Sequence, residues 1–133
     1  MVDIESGRAA ELAKKLSQHY GHRAAATVDV ATALRGPRGL IHATSTGTDK
    51  LPGMPLPAEL LRPDLWVADV VYFPIETELL KTARVRGCAT PDGAGMAVGQ
   101  AAGAVEFFTG MRPDAARMEG HFRSLLKGQA GVA

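Results

Sequence analysis

The run from Leu65 to Tyr72, Leu-Trp-Val-Ala-Asp-Val-Val-Tyr, is the feature that most constrains how this chain can fold. It is apolar almost throughout, which is typical of a strand that helices cover on both faces. Such a strand belongs at the centre of a parallel sheet. A second run, Gly39–Thr44, is also apolar and ends in polar residues. We therefore expect a fold built around buried strands.

Helical patterns lie between these runs. Apolar residues at 3,4 spacing predict an amphipathic helix that Ser6 caps and that ends at Tyr20, with Gly21 as a left-handed cap. Further helical signals follow: one or two turns in Asp29–Leu34, a helix that Thr77 caps and that runs to Gly87, a small-residue helix over Met96–Phe108 that ends at Gly110, and an amphipathic helix that Asp114 opens. These signals place helices after most of the strand candidates.

Shorter signals complete the pattern. Val2–Ile4 reads as the end of a strand, Ala24–Val28 is short and apolar, and Cys88–Thr90 is a last short strand candidate. The segment Ser45–Pro63 contains four prolines and predicts a long structured loop. Strands that alternate with helices predict an α/β class with a parallel sheet and right-handed crossovers. We expect one domain in residues 1–127 and a frayed tail in 128–133.

Composition excludes several function classes. The net charge of +1 provides no field for nucleic acid or an anionic membrane. The chain has one cysteine, Cys88, and no Cys/His cluster for a metal, which favours a reducing cytoplasm. Cys88 is interpreted as a small buried hydrophobe. Neither a secretion signal nor a membrane-spanning stretch is indicated.

Two long motifs identify a family. Asp69–Leu80 resembles D-x-x-Y-x-P-x-x-T-x-L-L of the shikimate and quinate dehydrogenases, and Asp92–Gln100 resembles their D-G-x-G-M-x-x-x-Q. Ala43–Gly47 is similar to their N-A-T-[PS]-x-G element, and Pro52–Pro57 resembles the following loop of the actinobacterial quinate/shikimate type. The resemblance covers residues 2–127. It implies a partial Rossmann-type sheet and hydride transfer between NAD and a ring hydroxyl of shikimate or quinate.

The resemblance also implies roles for single residues. Asp3 would accept hydrogen bonds from the adenosine ribose and repel a 2′-phosphate, so NAD is expected over NADP. NADP-preferring members carry an arginine where this chain has Ile4, and Arg8 could stack beside the adenine. The remaining cofactor contacts would come from Thr44, Ser45, Gly93, Gly95 and Met96. Tyr72 and Gln100 would hydrogen-bond the carboxylate or hydroxyls of the substrate.

Departures from the family pattern limit what the chain is expected to do alone. Full-length members are about twice as long, and the domain with the catalytic lysine and aspartate is not matched here. The first Rossmann strand, its glycine-rich phosphate turn and the following helix are not matched either. We therefore expect an N-terminally truncated chain that lacks the first βα unit. It should contribute no catalytic residue and have weak or no dehydrogenase activity.

Two alternatives stay open. His42 stands where the family has asparagine, and it could act as a catalytic base, although a lone histidine is usually structural or exposed. The whole chain could also be a non-catalytic binding module that pairs its exposed sheet edges with a second copy or a complementing chain.

Overall fold

Helices and short strands alternate along the part of the chain that the computed structural model describes, residues 1–91 and 93–129, with side chains up to residue 126. In chain order the elements are α1 (Ser6–Tyr20), α2 (Val30–Ala33), β1 (Gly39–His42), β2 (Trp66–Asp69), α3 (Glu78–Val85), α4 (Gly93–Thr109) and α5 (Ala115–Gln129). The predicted α/β class is confirmed. The chain divides into two units, Met1–Leu40 and Ile41–Ala133.

In the first unit, α1 has the predicted length but a different cap. Glu5 is the N-cap residue, and Ser6 is already helical. The prediction that Ser6 caps the helix is wrong because the Asp3 carboxylate accepts the Glu5 N–H at 2.8 Å and turns the chain one residue earlier. At the other end, Gly21 ends the helix with φ 72° and ψ 175°. The prediction of a left-handed cap is wrong because ψ is extended, although the positive φ still favours glycine.

The rest of the first unit contains a paired segment and a capped turn. The predicted strand end Val2–Ile4 is not formed as a strand, and Ile4 is fully exposed. Met1 nevertheless pairs with the segment near Ala25: its ammonium donates to the Ala25 carbonyl, and its carbonyl accepts the Thr27 N–H, as in a parallel bridge. The prediction of helical turns after Asp29 is confirmed by α2, because that carboxylate accepts two backbone N–H groups at the helix start.

In the second unit, the sheet has two strands, β1 and β2, and a third segment at Ala89 contacts β2 through one bridge. β2 pairs with β1 on one side, and the parallel bridge to Ala89 lies on the other. The strand is shorter than the predicted Leu65–Tyr72 because the Asp69 side chain accepts the Val71 N–H and turns the backbone. Cys88–Thr90 contributes that single bridge rather than a strand.

Burial along β2 alternates rather than being continuous. Within β2, Val67 and Asp69 are buried, whereas Trp66 is 42% exposed. The prediction that both faces of this strand are covered is therefore wrong within the described residues. α3 packs against β2, and its buried residues Leu79, Leu80 and Ala83 belong to the same core. A strand with one covered face alternates in exposure because successive side chains point to opposite faces.

The remaining elements follow the predicted order. The Thr77 cap is confirmed, because its hydroxyl accepts the Leu80 N–H at 3.3 Å. The loop over 45–63 is confirmed as mostly irregular, with one short 3-10 turn at Ala58–Leu60. α4 begins at Gly93, three residues before the predicted Met96, and packs on α5.

The final helix starts at its predicted cap and continues past the predicted boundary. The Asp114 carboxylate accepts the Arg117 N–H at 3.0 Å. The helix then runs to Gln129, although the tail was predicted to begin at 128. Residues 130–133 lie outside the described part of the chain, as does Asp92 of the second motif. Among the described helices, none combines the length and apolar character needed to span a bilayer.

Candidate functional site

The residues predicted to bind ligands are divided between the two units. Asp3 and Arg8 belong to the first unit, around the start of α1. The second unit contains the others: Thr44, Ser45, Tyr72, Gly93, Gly95, Met96 and Gln100. These seven residues follow β1, follow β2 or lie on the first two turns of α4. They come from the chain after each strand, as expected for an α/β ligand site.

In the first unit, Asp3 is a half-buried carboxylate held by its own turn. Its Oδ1 accepts the Glu5 N–H, and Oδ2 has no hydrogen-bond partner among the described residues. Arg8 lies one turn into α1, where its guanidinium pairs with Glu5 at 3.0 Å on the surface. Asp3 therefore presents negative charge at the start of α1, while Arg8 is engaged with a neighbouring carboxylate.

A surface hollow of about 600 Å³ also lies in the first unit. Small side chains of α1 and of the segment 24–26 line it, together with Lys14 and His22. None of the predicted ligand-binding residues lines this hollow. It therefore has no part in the site that the sequence motifs describe.

In the second unit, a buried carboxylate connects the ends of β1 and β2. Asp69 is the last residue of β2, and its Oδ1 lies 2.9 Å from Nδ1 of His42, the last residue of β1. The Val71 N–H donates to the same oxygen at 3.0 Å, and the Thr77 hydroxyl donates to Oδ2 at 2.7 Å. One side chain thus joins both strand ends to the start of α3.

Three donors keep this carboxylate ionised in spite of its burial. The Asp69 side chain has 0% exposure, and burial by itself favours the neutral acid. The hydrogen bonds from His42, Thr77 and the Val71 N–H outweigh burial and hold the pKa of Asp69 below its ordinary value of 3.8. Asp69 therefore acts as a charged acceptor inside the unit.

His42 carries the connection from this carboxylate to the outer loop. Its side chain is almost fully buried, and Nε2 lies 2.6 Å from Oγ1 of Thr44. Thr44 itself is exposed, and its Oγ1 also accepts the Thr46 N–H at 3.3 Å. Sequence reasoning missed this arrangement because it treated His42 as an isolated residue. The available signal was that His42 and Asp69 lie near the ends of two strand candidates, whose carboxyl ends meet in a parallel sheet.

α4 approaches the loop after β2 at very short range. A Cβ added at Gly93 would lie 2.7 Å from the Val71 carbonyl oxygen and 3.1 Å from Tyr72 Cα. A Cβ at Gly95 would meet no atom within 4 Å. The two glycines of the motif therefore differ: Gly93 allows helix and loop backbones to pack, whereas Gly95 faces open space.

The other predicted contacts lie on exposed or half-buried surfaces. Met96 and Gln100 are four residues apart, so they share one face of α4, with Met96 half-buried and Gln100 exposed. Tyr72 is 50% exposed. No hydrogen bond joins Tyr72 to Gln100 in the described residues, so each remains available to a ligand.

Together, these features define a class of protein. Parallel strands alternating with helices, polar residues after the strands and a glycine-dependent helix start are typical of Rossmann-type oxidoreductase domains. The sequence model of the shikimate 5'-dehydrogenase C-terminal domain matches residues 93–120.

Individual proteins extend the match to most of the chain. The shikimate dehydrogenase (NADP(+)) of Streptomyces avermitilis is 54% identical over 89% of this chain and 42% of its own length. The quinate/shikimate dehydrogenase (NAD(+)) of Corynebacterium glutamicum is 41% identical over 94% of this chain and 45% of its own length. The structure of quinate dehydrogenase from Corynebacterium glutamicum in complex with NAD superposes with a TM-score of 0.84 at 41% identity, covering 92% of this chain and 45% of that one.

Over most of its length the chain is similar to shikimate and quinate dehydrogenases, and the resemblance based on its motifs is confirmed. The family is NAD(P)-dependent, with both NAD and NADP forms among these relatives. The chain spans less than half the length of the relatives described above.

The two glycines provide a matched test of the packing at α4. Gly93→Ala should lower the free energy of unfolding by about 1–3 kcal/mol, because the new methyl group overlaps the Val71 carbonyl. Gly95→Ala should be neutral or stabilising by up to about 1 kcal/mol, because alanine favours helix and meets open space. Urea denaturation followed by the fluorescence of Trp66 measures both. Equal effects of the two substitutions would contradict the close approach.

Asp69→Asn tests the buried charge. The variant should lose about 2–3 kcal/mol of stability at neutral pH, because an amide cannot accept from all three donors. Since the folded pKa of Asp69 is depressed, its contribution is complete above about pH 4 and is lost as the pH falls through the folded value. The difference between wild type and variant should therefore shrink in acid.

Urea denaturation at a series of pH values measures this difference. The exposed Asp49→Asn is the control and should change stability by less than about 0.5 kcal/mol. A constant difference between wild type and Asp69→Asn down to about pH 3 would show that the carboxylate charge is not what stabilises the site.

Proposed function

We propose that this chain forms the NAD-binding part of an oxidoreductase that transfers hydride between the cofactor and a ring hydroxyl carbon of shikimate or quinate. Similarity to the shikimate and quinate dehydrogenases supports the reaction class. Asp3 determines the preference for NAD over NADP. Its carboxylate is half-buried at the start of α1, and one of its oxygens accepts the Glu5 N–H. The other oxygen can accept from a ribose hydroxyl, whereas a 2′-phosphate would be repelled.

The groups on the described surface fit a dinucleotide. Thr44 and Ser45 present hydroxyls after β1, suited to the ribose and nicotinamide side of the cofactor. Gly95 offers backbone without a side chain, and Met96 lies beside it on α4. When bound, NAD would supply the hydride acceptor. Gly93 was predicted to contact the cofactor, and we now propose that it sets the distance between α4 and the loop at Tyr72.

Tyr72 and Gln100 are proposed to bind the substrate. The phenol hydroxyl can donate to a carboxylate, and the amide can both donate to and accept from ring hydroxyls. Both side chains are exposed. Proton transfer is not assigned to any residue of this chain, since the family's catalytic lysine and aspartate are not matched in the sequence. We accordingly propose that Tyr72 and Gln100 form part of an active site for hydride transfer, in which other residues transfer the proton.

Asp3→Asn tests the cofactor proposal with the full chain. The amide oxygen can still accept the Glu5 N–H, so the turn before α1 is kept while the charge is removed. Calorimetric titration should show the ratio of NAD to NADP affinity falling by about tenfold, a difference of about 1.4 kcal/mol. Most of the change should come from better NADP binding, because repulsion of the 2′-phosphate is relieved.

Glu5→Gln is the matched control, because it removes a neighbouring carboxylate that pairs with Arg8. The affinity ratio should stay within about twofold of wild type. An unchanged ratio in Asp3→Asn, or an equal change in both variants, would remove Asp3 as the determinant. Failure of the wild-type chain to bind either dinucleotide would overturn the proposed function itself.

The self-associating module stays as a second candidate because of one observation. β1 is an edge strand of the two-stranded sheet, and its Ile41 is 64% exposed. Unpaired backbone groups on such an edge can pair with another chain. Sedimentation equilibrium should then show a dimer that Ile41→Lys dissociates. If the chain binds NAD and is a monomer at all concentrations, the self-associating module is rejected and the oxidoreductase proposal stands.

A further inference from the structure

The hydrogen bonds around His42 have only one arrangement that satisfies every group when the imidazole is neutral. Asp69 is ionised and can only accept, so His42 Nδ1 must carry the proton that bridges their 2.9 Å separation. Nε2 is then an acceptor. The Thr44 hydroxyl, 2.6 Å away, must donate to it.

This assignment determines what Thr44 can offer to the outside. A hydroxyl has one hydrogen and two lone pairs. The hydrogen is directed to His42, and one lone pair accepts the Thr46 N–H. One acceptor position is left on an exposed residue.

We propose that His42 is a positioning residue that makes Thr44 a hydrogen-bond acceptor for the bound cofactor. The ligand group at Thr44 must then be a donor, such as a ribose hydroxyl or the amide of a carboxamide, and a phosphate oxygen is disfavoured there. The cofactor part of this inference rests on the proposed function. The part that concerns the proton on His42 rests on the network alone.

The strand geometry makes His42 suited to this role. His42 ends β1, and Thr44 follows it by two residues, which brings Nε2 and Oγ1 to 2.6 Å from each other. His42 is further held by its backbone, because its carbonyl accepts the Val70 N–H at 2.9 Å. The Asp69 carboxylate is fixed in turn by Thr77 at the start of α3. The orientation of an exposed hydroxyl is thereby set by the buried core.

Nitrogen-15 NMR of the wild-type chain tests the proton position without any ligand. Two-bond proton–nitrogen correlations at about pH 8 should show one histidine with its proton on Nδ1, assigned to His42 by its loss in His42→Asn. The exposed His19, His22 and His121 provide the reference pattern. A proton on Nε2 of His42 would overturn the inference, because Thr44 would then be forced to accept from it.

A thermodynamic cycle tests the consequence for binding. In His42→Asn the amide nitrogen can replace Nδ1 toward Asp69, but the shorter side chain cannot reach Thr44. Thr44→Val removes the hydroxyl and keeps the shape. Each substitution should weaken NAD binding by about fivefold, and the double variant should bind no more weakly than Thr44→Val alone. Additive losses would show that His42 does not act through Thr44.

Two further variants separate positioning from general damage. Thr44→Ser keeps the hydroxyl that Thr44→Val removes, so it should retain most of the wild-type affinity for NAD. This comparison does not depend on whether His42→Asn folds. His121→Asn, an exposed histidine on α5, is the control and should bind as wild type does. If the wild-type chain binds no dinucleotide, the proposed function fails, and the NMR measurement still decides whether His42 orients Thr44.

Discussion

The structure of the second unit depends on one buried charge. The Asp69 carboxylate accepts hydrogen bonds from His42 at the end of β1, from the backbone after β2 and from Thr77 at the start of α3. Each of these donors would otherwise be a buried polar group without a partner, which is costly. Because the three donors come from three segments, the carboxylate holds those segments in one arrangement, and that arrangement places Thr44 and Tyr72 on the surface.

Close backbone packing supplies the second constraint on the site. Gly93 lets α4 approach the loop at Val71 and Tyr72 to a distance that no side chain would permit. The helix that carries Gly95, Met96 and Gln100 therefore starts against the same loop that carries Tyr72. The proposed cofactor and substrate contacts of this unit thus lie on segments that are positioned by core interactions, while their own side chains remain accessible.

Patterns in the sequence predicted most of the fold, and the failures have local causes. The order of helices, the strand at β2, the Thr77 cap and the family resemblance are confirmed. The predicted double cover of β2 failed because apolar composition cannot tell which face receives a helix; Trp66 is exposed. Ser6 is not the cap, because the Asp3 side chain turned the chain earlier. The ligand-binding roles of the predicted site residues remain predictions.

The sequence by itself determined the α/β alternation and the resemblance to shikimate and quinate dehydrogenases, because periodicity, capping and motif spacing are local properties. Only the tertiary structure decided that His42 is buried between Asp69 and Thr44, and that Gly93 serves packing while Gly95 faces open space. These relations join residues up to 27 positions apart. They arise from the way parallel strand ends meet in space, which local sequence patterns do not encode.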